Sequence, residues 1–173
     1  FQIFDDLNHL EGGRLLLSRS GTSYAMVQCL PQQVKVIDGA DPAEMMKAIK
    51  NEAEIRATRE AHRRDGAAMV NFLCWLKHAV SEYAAGEDTG LTELAAADRL
   101  LQFRKAQKGF KDLSFTTIAG YGPNGAIIHY DPTPETDARL LAEGFLLVDS
   151  GGQYEDGTTD ITRTIALGPL TRE

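Results

Sequence analysis

The chain has 173 residues, 43% hydrophobic and 25% charged, the balance of a soluble globular protein long enough to bury a sizeable core. A net charge of −7 and a pI near 5.1 argue against a surface built for nucleic acid or an anionic membrane. No apolar run approaches the roughly 20 residues that cross a bilayer. The chain opens at Phe1 with neither an initiator Met nor a signal-peptide pattern, so it reads as a trimmed or internal piece. Two cysteines are too few for a disulfide framework or a metal cluster. Cys29 falls in an apolar, strand-like run and Cys74 beside the apolar stripe of a helix. Both are expected as buried, reduced thiols, which fits a cytoplasmic protein.

Residues 1–40 have a character of their own. Phe1, Phe4, Leu7 and Leu10 recur at helical spacing, and Gly12-Gly13 stops that helix. Leu15–Leu17, Tyr24–Leu30 and Val34–Ile37 read as short strands separated by Ser, Gly and Pro, the tail of an α/β domain. Asp41-Pro42-Ala43-Glu44 is a helix start, with Asp41 as N-cap and Pro42 in the first turn. It marks the expected opening of a second domain, residues 41–173. Asn51 and Glu54 repeat the capping roles, and a long helix follows with the stripe Ile55, Met69, Phe72, Leu73, Leu76, Val80 and Tyr83. Its segment His62-Arg63-Arg64-Asp65 reads as a solvated face or an interdomain salt-bridge patch. Gly86 to Gly90 breaks this helix, and Thr92 caps the next, with Leu94, Ala97, Leu100 and Leu101 inward. From Phe115 the period becomes strand-like, with a turn at Pro123-Asn124-Gly125. Glu135 to Glu143 is expected to be a short helix. Helices followed by antiparallel strands point to the α+β class.

The most informative stretch is Leu146 to Thr164, LLVDSGGQYEDGTTDITRT. Two β-type runs around a glycine-containing loop read as a hairpin that carries Asp149 on one strand and Asp160 on the other. Like charges that close are destabilising unless a cation or a proton lies between them. A two-residue turn at Asp156-Gly157 pairs Gln153 with Asp160 and Asp149 with Thr164. Both aspartates then share a face but lie roughly 13 Å apart along it, against about 3.5–4 Å between paired metals. A wider loop, or a bulge at Gly151-Gly152, is needed to bring Asp149 opposite Asp160. Thr162 has the strand parity of Asp160, which makes it a candidate to support a ligand; Arg163 has the opposite parity. From spacing alone, an acidic surface hairpin with solvated aspartates is an equal alternative. His129, at the end of the apolar run Ala126-Ile127-Ile128, would by itself be structural or solvated more often than chemical.

The string D-S-G-G-Q-Y-x-D-G-T-T-D-I-T-R-T, with Asp41-Pro42, Lys47 to Asn51 and the GAIIHYDPT segment, closely resembles the Xaa-Pro aminopeptidase (aminopeptidase P) family. These are creatinase-like, "pita-bread" metallopeptidases, and the resemblance covers residues 41–167. It implies the first half of a pita-bread catalytic domain, preceded by the end of a creatinase-like N-terminal domain. By that resemblance Asp149 ligates one of two divalent metal ions, Asp160 bridges both, and His129 lies at the substrate. The implied substrates are peptides with proline at the second position. Carboxylate ligands without thiolates suit Mn²⁺, the family's usual metal, with Zn²⁺ or Co²⁺ as alternatives.

The family's remaining ligands, a His and two Glu, would come after the hairpin and do not occur before Glu173. The polypeptide is therefore expected to bind metal weakly and to be inactive alone. Within enzymes, a proline dipeptidase uses the same hairpin. In another class, pita-bread domains without metals act as binding modules, against which the pair Asp149 and Asp160 counts. Half of such a domain is expected to expose apolar surface, from the Met69–Tyr83 stripe and the sheet carrying Asp149. That leads to the expectation of a homodimer.

Overall fold

The computed structural model describes residues 2–86 and 90–169. By its contacts the chain divides into two units, Phe1–Asn51 and Glu52–Glu173.

The first unit runs α1 (Gln2–Asn8), β1 (Gly13–Leu17), α2 (Tyr24–Gln28), β2 (Val34–Asp38) and α3 (Pro42–Ala48). Strands β1 and β2 are parallel, from Gly13↔Val34 to Leu17↔Asp38. Parallel neighbours need a crossover between them rather than a hairpin. That topology makes a helix of Tyr24–Gln28, part of the Tyr24–Leu30 run that its apolar composition suggested was a strand. Cys29 is the C-cap of this helix and only half-buried. Helix α3 begins as expected, with Pro42 in its first turn and the Asp41 carboxylate accepting from Ala43 N at 2.8 Å. Asp41, Pro42 and Glu44 line one pocket with Leu16 and Leu17 at the end of β1. The start of α3 therefore packs within the first unit. The contact boundary at Asn51/Glu52 lies beyond the one expected after residue 40.

The second unit opens on the 33-residue helix α4 (Glu52–Ala84), followed by α5 (Glu93–Lys105). Strands β3 (Phe110–Leu113) and β4 (Ile118–Tyr121), a 3₁₀ turn at Gly122–Ala126, then β5 (Phe145–Ser150), β6 (Gly152–Tyr154), β7 (Gly157–Thr158) and β8 (Ile161–Ala166) complete it. The strands form two antiparallel sheets, ordered β3-β6-β7 and β4-β5-β8. Helix α4 buries Ala61, Ala68, Met69, Phe72, Leu76, Ala79 and Val80 at the three- and four-residue spacing of one face. From Met69 onward they pack with Leu100 of α5 and with Leu146, Val148 and Ile165 of the sheet. Each fully buried Leu or Phe stabilises by roughly 1.5–3 kcal/mol. The Met69–Val80 stripe is thus core and not an exposed source of association. Cys74, between Phe72 and Leu76 in sequence, points away from that face and is exposed, contrary to its expected burial.

Two further expectations change. The inward line of α5 is Glu93, Ala96, Leu100 and Arg104: Leu100 faces inward as expected, whereas Leu94, Ala97 and Leu101 are only half-buried. Residues 135–143 form no helix: after a turn at 134–136, residues 137–140 cross the start of α5 as a short strap. Glu93 N donates to Ala138 O at 3.0 Å, Leu140 N to Leu91 O at 2.9 Å, and Leu94 N to Asp137 Oδ1 at 3.0 Å. The free N–H groups at a helix start demand such acceptors, and the strap supplies them. Among the described residues no helix is long and apolar enough to cross a membrane.

Candidate metal centre

Strand alternation decides which side chains meet. Leu146, Val148 and Ser150 of β5 are buried, the first two in the core with α4 and α5, so Phe145, Leu147 and Asp149 lie on the opposite, open face. In β8 the partner of Asp149 is Thr162, and the partner of Leu147 is Thr164. On the other side of β5, Ile118 stands opposite Asp149. The Thr162 hydroxyl donates to Asp149 Oδ1 at 2.8 Å, fixing one carboxylate oxygen on a half-buried residue. Arg163, of the other parity, donates to the neighbouring carbonyl of Thr162 at 2.7 Å.

The hairpin turns one residue earlier than its Asp-Gly signal suggested. Tyr154 pairs with Gly157, and Gln153 with Thr158, so the turn is Glu155-Asp156. A turn one residue earlier moves every cross-strand pairing by two. Pairing resumes at Ser150↔Ile161, with two residues on each strand between the two paired stretches, so no bulge is inserted. By this register Asp160, in the connection just before β8, falls across from Gly151 and diagonal to Asp149. Diagonal neighbours stand about 7–8 Å apart at the backbone, within reach of facing side chains. Gly151 permits this crossing. A Cβ there would enter the Thr159 carbonyl and Ser114 Oγ, which are already hydrogen-bonded to each other at 3.0 Å.

His129 reaches the same face from a loop. The 3₁₀ turn lies directly on β4 because Gly120 has no side chain: a Cβ would stand 2.8 Å from the Gly125 backbone. The chain then brings His129 to the sheet with φ of +58°, a left-handed conformation uncommon outside glycine. Such backbone persists where surroundings over-determine it, and it concentrates at functional sites. His129, Asp149 and Thr162 line one concavity of about 250 Å³ with Ile118, Ile127, Ile128 and Leu147. Asp160 is exposed and is not part of that lining. Among the described residues no group of three or more His, Cys, Asp or Glu gathers closely enough to hold a metal ion.

Two buried carboxylates behind the face escaped the sequence analysis. Asp65 of α4 and Arg104 of α5 are fully buried and joined by two hydrogen bonds, 2.7 Å from Nε and 3.1 Å from Nη2. Tyr154 Oη at 2.9 Å and Thr159 Oγ1 at 2.8 Å also donate to Asp65, while Thr159 Oγ1 accepts from Gly152 N at 2.9 Å. Burial pushes the Asp65 carboxyl up, but its bonds and proximity to Arg104, with those of Thr159 and Tyr154, prevail and hold it below the usual range. The same burial, with the Asp65 charge, raises the Tyr154 phenol well above its usual value. This cluster anchors the hairpin one residue before Asp160. The expected solvated face at residues 62–65 is thus wrong for Asp65. A signal existed: Asp65 stands four residues from both Ala61 and Met69, on the buried line.

The second carboxylate, Glu93, is also fully buried. It accepts from Tyr121 N at 2.6 Å, Asn124 Nδ2 at 3.0 Å, Tyr130 Oη at 2.8 Å and Ala138 N at 3.1 Å. No local pattern announces it, since its donors come from residues 121–138.

A helix-backed antiparallel sheet with Asp149 on its open face and a preceding parallel β-α-β unit fit an α+β, pita-bread scaffold joined to a creatinase-type domain. The chain belongs to metallopeptidase family M24: that family's model matches residues 56–173, and the model of the creatinase/prolidase N-terminal domain matches residues 1–54. It is 50% identical over 133 residues to aminopeptidase P2 of Arabidopsis thaliana, covering 76% of this chain and 18% of that protein. It is 42% identical over 155 residues to a probable Xaa-Pro aminopeptidase P of Botryotinia fuckeliana, covering 90% of this chain and 23% of the relative. Among solved structures, the X-prolyl aminopeptidase of Caenorhabditis elegans, described as a cytosolic enzyme with a di-nuclear active site, superposes with a TM-score of 0.85 at 30% identity. That match covers 99% of this chain and 28% of the worm protein. The chain thus spans less than a third of the length of each protein it matches here.

Proposed function

We propose that this chain is part of a metal-dependent aminopeptidase that hydrolyses the bond between an N-terminal residue and proline, with two divalent ions, Mn²⁺ first among them, in a cytoplasmic enzyme. The observation that supports the reading is the concavity shared by His129 and the Thr162-supported Asp149, with Asp160 two residues before Thr162 in the chain. The fit of a metal rests on the donors themselves. Two carboxylates that, among the described residues, have no arginine or lysine bonded to them, one with an oxygen already oriented by a hydroxyl, suit a hard cation, and both cysteines lie elsewhere.

Asp149 and Asp160 would hold the metal, and Thr162 would keep Asp149 in the orientation for binding. Bound divalent ions supply an acidified water and Lewis acidity toward a carbonyl. His129 supplies a ring nitrogen at the rim of the pocket, able to hydrogen-bond a peptide or move a proton near neutral pH. Ile118, Ile127, Ile128 and Leu147 give the pocket an apolar wall that excludes water from a bound residue. The support for an aminopeptidase over a dipeptidase is the naming of its relatives together with the G-G-Q-Y and T-T-D-I-T-R-T strings.

Two carboxylates alone fix a metal poorly, so the 173-residue polypeptide is expected to bind Mn²⁺ only weakly and to show no turnover. The test is hydrolysis of Xaa-Pro-Xaa and Xaa-Pro peptides, with and without Mn²⁺, by the longer protein that contains this chain. Cleavage of the tripeptide, lost in Asp149→Asn and Asp160→Asn, supports the reading. Cleavage of dipeptides alone means a prolidase, and peptide binding without cleavage means a binding module.

A further inference from the structure

We infer that Glu93 is a positioning residue for His129: a buried carboxylate that clamps the 121–138 segment and so holds the histidine loop over the Asp149 pocket. The inference rests on the reading that His129 serves the peptide site.

Glu93 sits in the first turn of α5, after the N-cap Thr92, whose hydroxyl accepts from Ala95 N at 3.2 Å. The capping work is therefore done by Thr92 and, from the strap, by Asp137. Glu93 is free to face inward, where its two oxygens are spent on the loop. Tyr121 N ends strand β4, Asn124 lies in the 3₁₀ turn, Tyr130 directly follows His129, and Ala138 lies in the strap. Its partners thus bracket residues 122–129 on both sides. Asn124 Nδ2 also donates to Tyr130 Oη at 3.0 Å, tying the two ends of the loop to each other as well as to the carboxylate. Between them the backbone closes through Ile127 N to Asn124 O at 3.1 Å and Tyr130 N to Ile127 O at 3.2 Å. His129 itself is exposed and left-handed. Nothing in an exposed imidazole compensates for that backbone, whereas a buried Tyr130 hydrogen-bonded to a charged acceptor does. Hydrogen bonds to ionised acceptors are the stronger kind, and leaving their donors unmet in the interior is costly.

The test is NMR on the ¹⁵N-labelled chain, comparing wild type with Tyr130→Phe and Glu93→Gln. Tyr130→Phe removes one hydroxyl and keeps the ring, so the fold should survive. Glu93→Gln puts an amide NH₂ among groups that all donate, and serves as the stronger variant. Amide exchange at Ile127 and Tyr130 should accelerate roughly tenfold in Tyr130→Phe and more in Glu93→Gln, while amides such as Leu100 in α5 stay within twofold. The ring signals of His129 should shift in both variants, and those of His62 and His78 should not. A merely structural role would lower the melting temperature and loosen α5 and the loop alike. Uniform loosening, or unchanged loop exchange and His129 signals in Tyr130→Phe, overturns the inference. Because the readout needs neither metal nor peptide, it holds or falls separately from the peptidase reading.

Discussion

Thr162 gives Asp149 one hydrogen bond of 2.8 Å from an exposed position. Replacing it with Val keeps the β-branched shape and removes the donor, so stability should change by no more than about 0.5 kcal/mol. Metal affinity of the longer protein should fall by about tenfold or more, the scale on which a ligand's supporting bond acts. Calorimetric titration of wild type and Thr162→Val with Mn²⁺ checks this, and equal affinities would mean that Thr162 does not orient the ligand. Gly151 makes the opposite kind of demand. Its alanine variant adds a Cβ where the Thr159 carbonyl and Ser114 Oγ already lie, and backbone cannot yield as a side-chain tip does. Gly151→Ala should destabilise by about 1–3 kcal/mol in a urea titration, with the shift felt at Asp160, the next residue after Thr159. Strand parity and family resemblance nominate Asp149, Asp160, Thr162 and His129 as candidates, and their roles belong to the proposal. The register that relates the aspartates could not be found in the same way. Asp156-Gly157 is the stronger turn signal, and the chain turns at Glu155-Asp156 instead. The competing choice satisfies Asp65 with Tyr154 and Thr159, which no turn propensity contains.

At the scale of elements, helices with caps and stripes were legible and short connections were not. Asp41-Pro42 and Thr92 start α3 and α5 where their side chains accept from Ala43 N and Ala95 N. The α4 stripe appears because one face meets one core. Helix α2 has only five residues, too few to show a 3.6 period, and its state follows from parallel pairing between distant strands. Residues 137–140 are a strap and not a helix because α5 needs acceptors at its start, a requirement invisible within the strap. The α4–α5 pair is locked by Asp65 and Arg104, whose charges each lie on an inward helical line. Arg104→Leu would leave Asp65 buried with its charge uncompensated and should cost about 3–5 kcal/mol, read by chemical denaturation at pH 7. The pH dependence has a fixed sign. Asp65 is held below its ordinary value of 3.8, so its contribution is complete above that pH and is lost as pH falls through the depressed folded value. Asp65→Asn should lose stability at neutral pH and show a flatter decline between about pH 4 and 2, near and below the unfolded carboxyl's value. Parallel acid limbs in wild type and variant would show that the pair does not carry this linkage.

For the whole molecule, the expected homodimer has to be argued from a different surface than the long-helix stripe. Met69, Phe72 and Leu76 are core, so they offer nothing to a second copy. The open face of the β4-β5-β8 sheet does: Ile127 is 54% exposed, Ile128 86% and Phe145 49%, beside Leu147 and Ile118. Contiguous exposed apolar surface of this kind marks a binding face. A net charge of −7 opposes pairing, and Asp149 on that face adds to the repulsion. Association through this face should therefore be weak at low salt and tighten as salt screens the charge, whose reach is about 8 Å at physiological ionic strength. Light scattering over a concentration series at two salt levels measures it. Ile128→Glu should return the mixture to monomers, since it adds charge at the most exposed apolar residue of the patch. It should leave the melting temperature nearly unchanged, because that side chain supports no core contact. A strictly monomeric species at high micromolar concentration in both salts would leave the apolar face to substrate and to the rest of the longer protein. Divalent metal gives a second handle on the same balance. By neutralising the aspartates it should favour pairing if the face is shared, whereas occupation of the pocket by a peptide should oppose it.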